Sequence, residues 1–333
     1  MAKREKRVSR NRKRRRGAGQ ERSQVPTSGE QVEGSEFGHV SVLLHEALES
    51  LAVKRGGTYA DMTLGLAGHS VAIARRLGPE GSLTVFDRDA AAIEIAKQRL
   101  EQLRSELGPE MPRLQIVQAP FSEAGQHLAP HSLDGMLADF GVSSIQLDDP
   151  ARGFSFRAEG PLDMRMGAEE DRTADQVVNH MDESRLADVL YELSEERRSR
   201  RIARAIVRAR PLRSTAHLAE IVAAAAPANK QPGRRAIHPA TKTFQAIRMF
   251  VNQELEEIES LLKQAPDLLR QGGRLAVISF HSLEDRRVKD HMRDMAQKQV
   301  YEVLTKKPIT ASEQETARNP RSRSAKLRVA QKR

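Results

Sequence analysis

The stretch Asp61-Met62-Thr63-Leu64-Gly65-Leu66-Ala67-Gly68-His69-Ser70 decides the fold. A β-prone segment, residues 58–62, leads into it. An amphipathic segment, 70–77, leads out and stops before Gly78-Pro79. A strand that turns through small residues into a helix is the opening unit of a doubly wound sheet, and its loop lies on the ligand side. Small residues there let the backbone approach a ligand closely. The next strand, 82–86, is followed by an acid, Asp87, about twenty residues after the loop, where a carboxylate can accept from both ribose hydroxyls.

The alternation continues. A helix over 89–107 carries Ile93, Ala96 and Leu100 on one face, with Asp89 as its N-cap. Strands follow at 114–117 and 133–138. Strands alternating with helices imply a parallel sheet with helices on both faces. From Gln146 to Ile237 no buried strand is legible, but helices are, at 186–193, 197–210 and 216–226. Strand logic resumes at 274–280 after a long helix over 241–262. Residues 300–305 and 326–329 alternate as a terminal antiparallel pair would. The expected organisation is a disordered basic arm over 1–36, an α/β domain built from 37–145 and 238–333, and a helical insertion over 146–237.

Bulk properties narrow the function. Hydrophobic residues make up 38% of the 333, enough for a core, and no run approaches the ~20 apolar residues of a membrane span. No secretory signal is legible. Without cysteine, disulfides and thiolate metal sites are excluded, which fits a cytoplasmic location. The net charge of +10 sits at the ends: residues 1–36 carry +6 and 318–333 carry +7, leaving the body at −3. Ends of this kind favour polyanions through counterion release, or are simply solvated tails. Residues 197–235 hold eleven Lys or Arg against one acid, Glu220. They read as a phosphate-gripping lid over the cleft, with a solvated helix face as the alternative. With no Trp and few aromatics nearby, extensive base stacking is not expected.

The chemistry is read at the strand ends. Gly65-x-Ala67-Gly68 departs from the G-x-G-x-x-G of a pyrophosphate grip. It suits a phosphate-free cofactor such as S-adenosylmethionine, whose cationic end Asp61 would attract. Asp87 serves that cofactor or NAD equally. Phe121, after the third strand, could pack on an adenine, although a lone Phe is more often core. Asp139-Phe140-Gly141-Val142 is the reaction-site candidate. An exocyclic amine is a poor nucleophile, and acceptors aimed at its hydrogens orient it for methylation. Enzymes of that kind often carry an acid or amide, two prolines and an aromatic here, but this loop lacks the prolines. The segment Ser279–Arg286 reads as a polar wall of the pocket, or as a helix cap by Ser282; no nucleophile elbow supports a hydrolase. His39, His69, His238 and His281 show no metal-ligand spacing, so no metal is expected.

In this order the motifs resemble the bacterial 16S ribosomal RNA (cytosine-N4)-methyltransferase family, the MraW/RsmH type. The resemblance rests on His39-Val-Ser-Val-Leu-Leu, Asp61 to Ser70, Asp87-Arg-Asp, Asp139-Phe-Gly-Val-Ser-Ser, Gln146-Leu-Asp-Asp and Arg152-Gly-Phe-Ser-Phe. It continues in Gly160-Pro-Leu-Asp-Met-Arg-Met, Arg201-Ile-Ala-Arg-Ala-Ile, His238-Pro-Ala-Thr-Lys-Thr-Phe-Gln-Ala-Ile-Arg, Ser279-Phe-His-Ser-Leu-Glu-Asp-Arg and Asn319-Pro-Arg-Ser-Arg-Ser. It implies a class I S-adenosylmethionine-dependent methyltransferase fold with an RNA-binding helical insertion. The implied activity is methylation of a cytidine N4 in the decoding region of 16S rRNA, with the small ribosomal subunit as partner. It also implies that Ala67, Gly68, His69, Asp87, Phe121, Asp139 and Gln146 bind the cofactor. Asp139 would be catalytic, either orienting the amine or taking its proton. Leu66 and Ala67 replace a more glycine-rich run, and the Ala67 methyl would narrow the pocket. An NAD-dependent oxidoreductase and a non-catalytic ribosome-assembly factor are the rival readings. The sequence is silent on oligomeric state.

Overall fold

The computed structural model describes residues 41–167, 171–227 and 238–333. The arm expected over 1–36, His39, and Lys230, Arg234 and Arg235 of the basic stretch lie outside them. After helix α1 (Leu44–Leu51) the chain alternates through β1 (Thr58–Asp61), α2 (Gly68–Leu77), β2 (Ser82–Asp87) and α3 (Ala90–Leu107). It continues through β3 (Arg113–Gln118), α4 (Ala124–His127) and β4 (Leu133–Asp139). The sheet order is β3-β2-β1-β4-β5-β7-β6. β1 to β5 run parallel, and β7 (Lys326–Lys332) runs antiparallel between β5 (Leu269–Ser279) and β6 (Tyr301–Val303). This is the doubly wound α/β architecture expected, and it agrees with a class I methyltransferase fold. The expected terminal antiparallel pair is present, though β7 rather than β6 joins the main sheet.

Period-two alternation divides the strand side chains between two apolar layers. Ala60, Met136, Ala138, Leu275 and Val277 face one layer. Tyr59, Leu137, Ala276 and Ile278 face the other. A third layer belongs to the insertion: α5 (Ser144–Asp148), α6 (Ala174–His180), α7 (Glu183–Ser194), α8 (Ser199–Arg208) and α9 (Thr215–Ala225). α10 (Ala240–Val251) buries Phe244, Ile247 and Val251 in that same layer, so the helical body runs past the boundary expected at 237.

The single long helix expected over 241–262 is two. α10 ends at Val251 and α11 (Glu254–Leu268) begins after Gln253, whose φ of 50° breaks the helix. Asn252 holds the break: its side chain accepts from Met166 N–H at 2.7 Å and donates to Met164 O at 2.8 Å. Helical periodicity persists across such a turn, which is why the sequence hides it. α12 (Ser282–Gln297) and α13 (Glu313–Arg318) complete the chain around β6.

Candidate active site

Strand order reverses between β1 and β4, and a crevice opens there at the carboxyl ends of the strands. It is a cleft of about 640 Å³. One wall is Gly65, Leu66, Gly68, His69, Asp87 and Phe121; Asp139 and Phe140 form the floor; Phe156, Phe244 and Gln245 line the insertion side. Phe280 and His281, at the turn from β5 into α12, and Glu284 on α12 close it, and Arg321 stands at the rim.

The first loop is held by its neighbours. Gly65 has φ 48° and donates its N–H to Asp87 Oδ2 at 2.8 Å. A Cβ on Gly68 would lie 1.8 Å from Ser41 Oγ and 3.2 Å from Ser41 Cβ, so a larger residue fits only if the Ser41 hydroxyl turns aside. Two expectations for this loop fail. Asp61 does not face the cleft: it is 1% exposed, accepting from Ser70 Oγ at 2.6 Å and from Thr63 N–H at 3.1 Å. Ala67 is wholly buried in the core beside α1, so its methyl does not narrow the cleft. Its φ of 60° explains why a glycine is easy to accept there.

Asp87, at the tip of β2, accepts from Gly65 N–H and from Asp89 N–H at 2.9 Å. Burial pushes its carboxyl up to about 6 against these two donors. Each oxygen keeps a lone pair for a hydroxyl. Phe121 lines the cleft and packs on Phe140 at 5.7 Å. Gln146 reaches the cleft wall, but its amide is already engaged. It donates to Asp89 Oδ2 at 2.8 Å and accepts from Ser143 N–H at 3.0 Å.

Asp139 ends β4. Thr63 Oγ1 accepts its backbone N–H at 2.8 Å, tying the tips of β1 and β4 together. Its Oδ2 lies 3.7 Å from His69 Nδ1, while its Oδ1 is buried without a hydrogen-bond partner among the described residues. Burial, then the nearby Asp61 and Glu284, hold its carboxyl well above the usual range. His69 Nε2 makes a second contact, 3.0 Å from Val42 O.

The α12 wall differs from expectation in one detail. His281, not Ser282, is the N-cap, accepting from Glu284 N–H. Glu284 accepts from Phe280 N–H at 2.7 Å. Burial opposes its charge, yet His281, that N–H and Arg248 hold its carboxyl below the usual range. Glu254, His281 and Glu284 bring ligand-type atoms within 4.8 Å of one another, which the histidine spacing did not signal. Arg248 already supplies positive charge there, with two bonds to Glu254 at 2.6 and 2.7 Å. Thr63, Val42 and Arg248 shape the site from within quoted motifs but were given no role there, and Glu254, which holds Arg248, lies outside those motifs.

The described part of the basic stretch does not cover the cleft. None of the described residues between Arg197 and Arg213 lines the cleft. On α8, Ile202, Ala203 and Ile206 are buried while Arg200, Arg201, Arg204 and Arg208 face solvent, the alternative weighed for it.

The acceptors suit a cationic, phosphate-free adenosyl cofactor. Four carboxylates, Asp61, Asp87, Asp139 and Glu284, lie in or just behind the wall, and the first loop's Gly65 N–H is already engaged by Asp87. Among the described residues no helix is long and apolar enough to cross a membrane.

Comparison with known proteins gives the family. The chain is 64% identical over 294 residues to the ribosomal RNA small subunit methyltransferase H of Acidobacterium capsulatum, covering 88% of this chain and 98% of that one. It is 60% identical over 295 residues to the protein of the same name from Koribacter versatilis, covering 89% and 94%. The corresponding Solibacter usitatus protein is 49% identical over 291 residues, covering 87% and 98%. The family model described as the MraW methylase family matches residues 36–333. The chain belongs to the MraW methylase family.

Proposed function

We propose that this protein transfers the methyl group of S-adenosylmethionine to N4 of a cytidine in the decoding region of the small-subunit ribosomal RNA. The observation that carries the reading is Asp139, a carboxyl at the tip of β4 with no hydrogen-bond donor to its buried Oδ1 among the described residues. Such a group is poised to accept from an amine. The names of the relatives support ribosomal RNA of the small subunit as the substrate class.

S-adenosylmethionine, when bound, supplies an electrophilic methyl. Gly68 and the Leu66 backbone give it room, Asp87 accepts from its ribose hydroxyls, and Phe121 packs on its base. His69 and Gln146 shape the wall, while Ala67 holds the turn from behind. The target base reaches Asp139 only by leaving its stack, since stacking hides the amine from in-line approach. Asp139 orients the amine and receives its proton. With no cysteine in the chain, the covalent route through C6 of the pyrimidine has no thiol nucleophile.

The test is transfer of labelled methyl to small subunits from cells lacking this protein, followed by mass-spectrometric mapping of the modified nucleotide. Label on one cytidine N4 in the decoding region supports the reading. Subunits that bind the protein without gaining label favour an assembly factor and overturn it.

A further inference from the structure

Among the described residues four arginines line the cleft, and they fall into two pairs. Arg88 and Arg248 are mostly buried and held by acids, Arg88 by Glu257 at 3.2 Å and Arg248 by Glu254 at 2.6 Å. Arg157 and Arg321 stand at the mouth. The Arg157 side chain is exposed and makes no hydrogen bond or ion pair among the described residues. Arg321 is paired with Asp148 of α5 at 3.3 Å.

The backbone under Arg157 is fixed. Gly153 has φ 73°, and a Cβ there would lie 2.1 Å from Pro161 O. The Phe156 ring packs on Phe244 at 4.9 Å and on His238 at 4.6 Å. Arg157 N–H donates to Ser155 Oγ at 3.2 Å. The stem of the arginine is therefore anchored in the insertion while its guanidinium stays in water. A second arginine is presented by the 3-10 turn Pro320–Ser324, where residues three apart eclipse. Pro320, Arg321 and Ser324 line the cleft, and Arg323 falls on the same side as Pro320. Arg323 is exposed and, among the described residues, makes no hydrogen bond or ion pair. The Arg321–Asp148 pair ties this turn to the insertion.

Charge is thus sorted by depth. Asp87, Asp139 and Glu284 line the interior, and the uncommitted guanidiniums stand outside it. A negative interior repels phosphate and admits a cationic sulfonium or a neutral base, while a positive mouth attracts a polyanion. An extruded nucleotide divides in the same way, its base inside and its two phosphodiesters outside. A guanidinium fork matches phosphate geometry. The arginines of α8 do not line the cleft and cannot meet those phosphates.

Resting on the RNA target proposed above, we infer that Arg157 and Arg323 form a phosphate clamp at the cleft mouth. They hold the phosphodiesters on either side of the extruded nucleotide, and Arg321, through Asp148, positions the second arm. The clamp touches backbone and not base, so it supplies affinity and register rather than sequence preference.

The test is binding of the full chain to small subunits from cells lacking this protein, measured over a series of potassium chloride concentrations. Each arginine that meets a phosphate contributes about one to the slope of log affinity against log salt. Arg157→Gln and Arg323→Gln should each make that slope shallower by about one, and the double variant by about two. The KM for subunits should rise about fivefold in each single variant, with kcat and the affinity for S-adenosylhomocysteine within about twofold of the unmodified protein. Arg157→Lys keeps the point charge and should keep the slope. Unchanged slopes in both glutamine variants overturn the clamp. So does an equal fall in Arg201→Gln, whose side chain faces solvent on α8, since that would be a general loss of charge. Methyl transfer by the unmodified protein decides the methyltransferase reading separately: a failed clamp leaves that transfer intact, and absent transfer with the expected slopes overturns the reading alone.

Discussion

Asp89 and Arg152 meet in an ion pair of 2.9 Å that joins the end of the second strand to the start of the helical insertion. The same Asp89 oxygen accepts from Gln146, and Arg152 donates onward to Arg165 O at 2.9 Å and Met166 O at 3.1 Å. Both side chains are mostly buried, so the pair is poorly screened. Arg152→Ala leaves Asp89 with its cap to Ala91 N–H and the Gln146 amide. We expect a loss of about 2 kcal/mol in urea unfolding, the range for a hydrogen bond to a charged group.

Gly68 is fixed by contact with Ser41. Gly68→Ala places its methyl 1.8 Å from Ser41 Oγ, which must rotate away, and 3.2 Å from Ser41 Cβ, which must give by a few tenths of an ångström beside the cleft. Affinity for S-adenosylhomocysteine should fall about tenfold, some 1.4 kcal/mol. Adding Ser41→Gly should restore most of it. A double variant no better than the single one would mean that the clash is not the cause.

Ala67 gives the opposite expectation. Ala67→Gly relieves a left-handed backbone worth about 1–2 kcal/mol and forfeits a buried methyl worth about 0.8 kcal/mol, plus unfolded-chain entropy of similar size. These nearly cancel. Cofactor affinity should stay within about twofold in a calorimetric titration, because the methyl lies behind the wall.

Asp61 makes stability depend on pH. Burial lifts its carboxyl from 3.8 to about 6. Between those values the folded chain holds a proton that the unfolded chain has released, so stability falls as pH rises through that window. Asp61→Asn keeps both partners: the amide oxygen accepts from Thr63 N–H, and the amide nitrogen donates to a Ser70 hydroxyl turned round. The rise of about two pH units bounds the gain at about 3 kcal/mol. Urea midpoints should therefore favour the variant at pH 7.5 and converge with the parent below pH 3.8.

Asp139→Ala separates chemistry from binding. Losing the acceptor for the amine should reduce turnover on the order of 100-fold. The dissociation constant of S-adenosylhomocysteine should move less than about threefold. Equal losses in both would place Asp139 among the cofactor contacts alone.

The sheet was legible because its strands are short, apolar and separated by helices with one oily face, as at Ile93, Ala96 and Leu100. The strand tips were legible for the same reason: a doubly wound sheet puts its ligand side at the ends of β1, β2 and β4. Which tip residues turn toward the cleft was not legible. Asp61 and Asp139 both end parallel neighbours, yet hydroxyls of Ser70 and Thr63 enclose the first while the second stays at the cleft. Composition likewise could not orient the arginines of α8, because their direction is set by Ile202 and Ile206 packing inward. The turn at Gln253 depends on Asn252 reaching Met164 and Met166, 86 or more positions upstream.

β7 lies between two strands made before it. During synthesis, β6 has no partner in the sheet and β5 carries an open edge through the buried run Leu275 to Ile278 until Lys326–Lys332 emerges. An apolar edge left waiting is a template for a neighbouring nascent chain. Translation that stalls short of this segment would yield a product prone to aggregate, and one that stalls before residue 321 also lacks the rim carried by Arg321 and Ser324.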